Sequence, residues 1–207
     1  MKHLELSFGG GVATVTLNRP EVRNAFNDEV ITELTAVFME LAKRDEVRCV
    51  VLTGNGQAFC AGADLNWMKR MAGYSREENV ADAGALARML EGLFRFPKPT
   101  IARVQGDVYA GGVGLVAACD IVVSVDTANY CLSETRLGLV PATISPYVIR
   151  AMGARAAHRY FLTAERFDAA EARRIGLVHE VATADALDAK VAELARTLVH
   201  VGPEAAK

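Results

Sequence analysis

Two stretches of small residues could do chemistry through their backbones. They are Phe59-Cys60-Ala61-Gly62-Ala63-Asp64-Leu65 and Gln105-Gly106-Asp107-Val108-Tyr109-Ala110-Gly111-Gly112-Val113-Gly114-Leu115. Glycine has no Cβ, so peptide N–H groups in such turns approach another molecule closely. Two turns can aim two N–H donors at one oxygen, the arrangement that stabilises a carbonyl gathering negative charge. Either stretch alone also reads as a tight turn or a close helix–strand contact. Their occurrence twice, each after a strand-like run and before a helical pattern, favours the donor reading.

Glu134, in Leu132-Ser133-Glu134, reads from the residues alone as a surface carboxylate or a helix-start charge. With Leu132 and Leu137 around it, burial would raise its carboxyl pKa in the direction that an acid/base at neutral pH needs. Ser133 either hydrogen-bonds Glu134 or caps a turn. Asp107 and Tyr109 flank the second glycine turn and read as turn residues or as a further polar group. Asp64 is placed to cap the following helix, and Asp120 to hold a loop.

The rest of the composition narrows the chemistry. His3, His158, His179 and His200 are far apart, and Cys49, Cys60, Cys119 and Cys131 show no Cys-x-x-Cys spacing, so no metal site is expected. The cysteines read as buried thiols in a reducing compartment. A formal net charge of −2 leaves nucleic acid without an electrostatic footing. The first residues alternate instead of forming a charged and then apolar leader, and no run reaches the length of a membrane span, so a cytoplasmic protein is expected.

The elements that must position these groups follow from pattern. Residues 4–8 and 12–17 alternate around Gly9-Gly10-Gly11 and predict a hairpin. Asn27 predicts an N-cap for a helix with Ile31, Leu34, Phe38 and Leu41 on one face. The runs 49–53, 100–104 and 121–125 predict strands covered on both faces, the first two leading into the small-residue turns. Residues 66–96 are helical in character, broken at Gly73-Tyr74-Ser75, and their Trp and Met residues read as core packing or as a flap over an acyl chain. After Ala151 the chain is expected to be helical, with stops at Gly176 and after Leu198. Repeated strand–turn–helix units wind into a layered α/β domain.

In order along the chain, several segments resemble the enoyl-CoA hydratase/isomerase, or crotonase, family. They are Leu17-Asn18-Arg19-Pro20, Phe59 to Leu65, Lys98-Pro99-Thr100-Ile101-Ala102, Gly111-Gly112, Ala118-Cys119-Asp120-Ile121, Ser133-Glu134, Leu137-Gly138-Leu139-Val140-Pro141 and Gly176-Leu177-Val178. The resemblance implies an α/β spiral of ββα units over residues 1–150, carrying an acyl-CoA site. Residues 151–207 would begin a helical region that builds homotrimers or hexamers. Family members continue past the equivalent of Lys207, which implies a truncated chain.

By the same resemblance, the N–H groups of Ala63 and Gly111 hold a thioester oxygen and Glu134 delivers a proton. Arg23, Ala61, Asp64, Leu65, Gly112 and Gly114 line the substrate cleft. Coenzyme A enters as part of the substrate, with no separate cofactor. Family hydratases use two glutamates, and the first falls at Gly114, where this chain has no carboxylate. Val113 to Asp120 and Pro141 to Tyr147 resemble hydratases of methylglutaconyl-CoA and carboxygeranoyl-CoA. A hydratase of a branched, carboxylated enoyl-CoA is therefore expected. A Δ3,Δ2-enoyl-CoA isomerase using one glutamate and a non-catalytic acyl-CoA-binding subunit are the alternatives.

Overall fold

Alternation in the first residues closes a hairpin. Strand β1 (Leu4–Gly9) pairs antiparallel with β2 (Val12–Leu17), placing Leu4 opposite Leu17. The computed structural model describes residues 1–205. Ala206 and Lys207, on which part of the expected truncation falls, lie outside the described residues. Helix α1 (Asp28–Ala42) starts where the Asn27 side chain accepts from the Val30 N–H at 2.9 Å, and it buries Ile31, Leu34, Phe38 and Leu41.

The same unit then recurs. First come β3 (Cys49–Gly54) and β4 (Ala58–Cys60), followed by α2 (Leu65–Met71) and α3 (Arg76–Phe94). The second unit is β5 (Thr100–Val104), β6 (Asp107–Tyr109) and α4 (Gly111–Ala118). The third is β7 (Ile121–Val125), β8 (Asn129–Cys131) and α5 (Ser145–Thr163). The chain goes on through β9 (Phe167–Asp168), α6 (Ala169–Arg174), β10 (Glu180–Ala182) and α7 (Leu187–Val199).

In each unit the longer strand joins a six-stranded sheet of order β1-β2-β3-β5-β7-β10, parallel from β2 onward. The short strand joins a second sheet, β4-β6-β8-β9. Two sheets fed alternately by one chain make a spiral of ββα turns. Strand β3 is buried along its whole length, which is why it reads as an unbroken apolar run.

The break within 66–96 is a helix start: Ser75 accepts from the Glu78 N–H while Glu78 reaches back to the Ser75 N–H. Trp67, Met89, Leu90 and Leu93 join the core, whereas Met68 and Met71 are half-buried. The stretch after Ala151, expected to be helical, also contributes β9 and β10. Strands of two or three residues are too short to show a period of two, so β4, β6, β8, β9 and β10 left no pattern to read.

All four cysteines are buried as free thiols, and burial pushes Cys49 and Cys60 up to about 12. Among the described residues, no helix is long and apolar enough to cross a membrane.

Candidate active site

The first donor turn is built by a strand-like bridge. Leaving β4, the chain passes Gly62 and pairs Ala63 in parallel with Phe26. Phe26 N–H donates to the Gly62 carbonyl at 2.7 Å and Asp64 N–H to the Phe26 carbonyl at 2.7 Å. Extended backbone alternates direction, so the N–H of Ala63, between those two, points away from Phe26. Among the described residues it has no acceptor.

Asp64 fixes the start of the next helix. Its Oδ1 accepts from the N–H groups of Asn66 (2.8 Å) and Trp67 (3.2 Å), capping α2, and its Oδ2 takes an ion pair from Arg19 at 2.9 Å. Burial pushes this carboxyl up, but Arg19 and the two N–H groups outweigh it and hold the pKa below the usual carboxylate value. Both oxygens are engaged inside the protein, so Asp64 enters the site as a brace for the turn.

The second turn uses backbone alone. Ala110 has φ 46° and ψ −119°, its N–H donates to the Cys131 carbonyl at 2.8 Å, and its carbonyl accepts from Val113 at 2.8 Å. Gly111, the first residue of α4, has an N–H that no intrahelical carbonyl can reach, at the positive end of the helix. No side chain caps it.

The two turns are in contact. Gly62 has φ 87°, and a Cβ there would stand 2.8 Å from the Ala110 Cβ, 3.2 Å from the Tyr109 carbonyl oxygen and 3.7 Å from the Gly111 nitrogen. Only glycine at 62 permits that approach. On the other side, Gly111 lies against the Phe26 ring and Gly112 against the Cys60 carbonyl.

Glu134 opens the short 3-10 turn after β8. Its Oε2 is buried and, among the described residues, has no hydrogen-bond partner. Burial pushes the carboxyl pKa up, offset only in part by a backbone hydrogen bond. Burial thus shifts the group toward its protonated form, the direction an acid/base in this place needs. Ser133 makes no capping bond to this turn.

Around these groups, Leu65 is 73% exposed at the start of α2. The exposed Arg23 accepts the Ala61 N–H on its carbonyl at 3.0 Å, and its side chain has no partner among the described residues. Asp107 joins β6 to β8, accepting from the Asn129 N–H at 2.9 Å and from the Tyr109 hydroxyl at 3.2 Å. Tyr109 also lies under the Arg166 guanidinium. Asp120 receives the N–H and hydroxyl of Thr100, both at 2.8 Å. These three are occupied as structural groups.

Gly114 is buried beneath Ile144. Ile144, Phe26 and Arg19 shape the site; Arg19 and Ile144 fall in segments that carry the family resemblance, but nothing local assigns any of the three a role, because each acts on a residue far away along the chain. Among the described residues, no group of three or more His, Cys, Asp or Glu side chains could hold a metal ion.

A ββα spiral with two unengaged backbone donors at adjoining turns defines a crotonase-fold protein. The chain superimposes on the crystal structure of an enoyl-CoA hydratase from Shewanella pealeana with TM-score 0.95 and 44% identity, covering 98% of this chain and 76% of that one. A profile described as enoyl-CoA hydratase/isomerase matches residues 7–207, and the chain belongs to that family. The short-chain-enoyl-CoA hydratase of Clostridium acetobutylicum is 35% identical over 96% of this chain and 76% of its own length. The enoyl-CoA hydratase ACTT6 of Alternaria alternata is 36% identical over 94% of this chain, which spans 64% of that relative.

Proposed function

We propose that the protein is an enoyl-CoA hydratase whose substrate is a branched, carboxylated enoyl thioester such as 3-methylglutaconyl-CoA. The observation that carries this is the buried, unpartnered Oε2 of Glu134, together with the free N–H groups of Ala63 and Gly111. The names of the relatives support hydration as the reaction.

In this reading the thioester oxygen sits between the two N–H groups, and charge moves onto it as water adds. Each such donor is worth about 10²–10³ in rate, because it is in place before the charge appears. The water oxygen bonds to the β-carbon while one of its protons passes to the substrate's own second carboxylate. The proton of Glu134 goes to the α-carbon, and exchange with solvent then restores both groups.

In this reading Arg23 meets the coenzyme A phosphates, Ala61, Leu65 and Gly112 line the cleft for its chain, and no other cofactor enters. The segment after Glu134 exposes Leu137 (60%), Leu139 (49%) and Val140 (79%), which supports a homo-oligomer that covers this apolar edge.

A second reading, Δ3,Δ2-enoyl-CoA isomerisation, is favoured by the burial of Gly114 under Ile144, since one carboxylate suffices to carry a proton between two carbons. Product mass separates the two. With 3-methylglutaconyl-CoA, hydration adds one water and Glu134→Gln lowers kcat by about 10²–10⁴. No mass gain, with double-bond migration in a 3-enoyl-CoA, would establish the isomerase instead. Binding without turnover of either would leave an acyl-CoA-binding subunit.

A further inference from the structure

Gly114 sits one turn along α4 from the Gly111 donor, on the same helix face. A Cβ there would stand 2.3 Å from Cγ2 and 2.8 Å from Cβ of Ile144. These atoms form the stem of a β-branched side chain with restricted χ1, so it has no easy way to swing clear. Ile144 is 1% exposed, and its carbonyl accepts from the N–H groups of Tyr147 and Val148, which fixes its backbone where α5 begins. The segment that leads from Glu134 thus returns to α4 ten residues later with a hydrocarbon plug.

We propose that Ile144 is a specificity-determining residue: it fills the space into which a side chain at position 114 would project, and so keeps an acid/base side chain from being seated there. The inference rests on the acyl-thioester reading above. With Glu134 as the single proton donor, the other proton transfer falls to the substrate. An acyl group that carries its own carboxylate brings a base held close to the reacting carbon, whereas a plain enoyl group brings none. Ile144 therefore selects carboxylated enoyl thioesters over unsubstituted ones through what it keeps out.

Two measurements test this. The first is a stability cycle of Gly114→Ala, Ile144→Ala and the double variant. Gly114→Ala alone should lower Tm by about 5 °C or more, as overpacking of a buried contact does, and the double variant should regain at least half of that loss. A Gly114→Ala protein as stable as the parent overturns the packing on which the role depends.

The second compares hydration of crotonyl-CoA and 3-methylglutaconyl-CoA by Ile144→Ala and by Gly114→Glu/Ile144→Ala. The double variant should shift the rate ratio toward crotonyl-CoA by about tenfold or more. An unchanged ratio in a folded double variant overturns the proposal. If the parent hydrates neither thioester, the acyl-thioester reading fails and the specificity role falls with it, while the stability cycle still reports the contact.

Discussion

The two donor turns deliver the same product, a backbone N–H with no internal acceptor, by opposite constructions. At Ala63 the turn is bridged by backbone to Phe26 on one side and braced by side chains on the other, where Asp64 caps α2 and is itself held by Arg19. At Gly111 nothing but backbone sets the donor. A non-glycine residue in the positive-φ region precedes it, and the Cys131 carbonyl anchors that residue. The first turn depends on charge and so on pH. The second depends on a strained peptide and on the space its neighbour leaves.

The sharpest way to break this pairing is at the glycine that both turns share. Gly62→Ala would force an L side chain into φ 87° and within 2.8 Å of the Ala110 Cβ. The left-handed conformation costs about 1–2 kcal/mol, and the overlap adds about 1–3 kcal/mol. Moving either turn to relieve it displaces a donor, so kcat should fall by about 10²–10³ in whatever protein folds. Single-turnover kinetics beside a melting curve separate the two losses. Full activity would mean that the turns do not act on one oxygen.

Smaller and confined to the first turn is the effect of Asp64→Asn. The amide keeps an acceptor for the cap but loses the charge facing Arg19, whose side chain is 14% exposed. Charge-assisted hydrogen bonds of this kind contribute about 1.5–3 kcal/mol, so stability should fall by about 2 kcal/mol at neutral pH. The folded carboxyl has its pKa lowered, so its contribution is complete above the unfolded value of about 3.9 and disappears as pH falls through the folded value. Denaturant titrations of parent and variant should therefore differ at pH 7 and converge in acid. A gap that persists in acid would trace the brace to packing and not to charge.

Glu134 behaves in the opposite sense. Its carboxyl is pushed up by burial, so ionisation costs the folded state stability as pH rises from the unfolded value through the folded one. Glu134→Gln, besides losing turnover, should be more stable than the parent at neutral pH, with the difference closing in acid. Equal melting temperatures across that range would show that the carboxyl is as well solvated as an ordinary surface glutamate.

What the sequence made legible was local. Asn27 and Asp64 announce themselves as caps because an N-cap bond spans only two or three residues. The donor turns show as small residues between an apolar run and a helix, whereas Glu134 stands out from an ordinary surface carboxylate only through the family resemblance. What stayed hidden couples distant residues: Arg19 reaches Asp64 across 45 positions, and Asp107 takes the Asn129 N–H across 22. Gly114 could be read as a missing carboxylate, but not as a position closed by Ile144. Such pairs are decided by how successive turns of the spiral stack, and neither a period of two nor one of 3.6 carries that information.

The smallest effect tests the second turn by itself. Ala110 holds φ 46° and ψ −119°, where a Cβ is strained by about 1–3 kcal/mol. Ala110→Gly removes that strain, but glycine also gives the unfolded chain more freedom, which costs about 0.4–1 kcal/mol. The net expectation is a gain of about 1 kcal/mol, read as a higher denaturation midpoint at constant slope. Activity should move the other way by less than tenfold, because a freer peptide aims the Gly111 N–H less tightly. The methyl lost is also the one that meets a Cβ at position 62, so Ala110→Gly should return part of what Gly62→Ala takes away. A lower midpoint in the single variant would mean that the Ala110 methyl packs more than it strains. The second turn would then be braced by a side chain like the first, and the contrast between them would collapse.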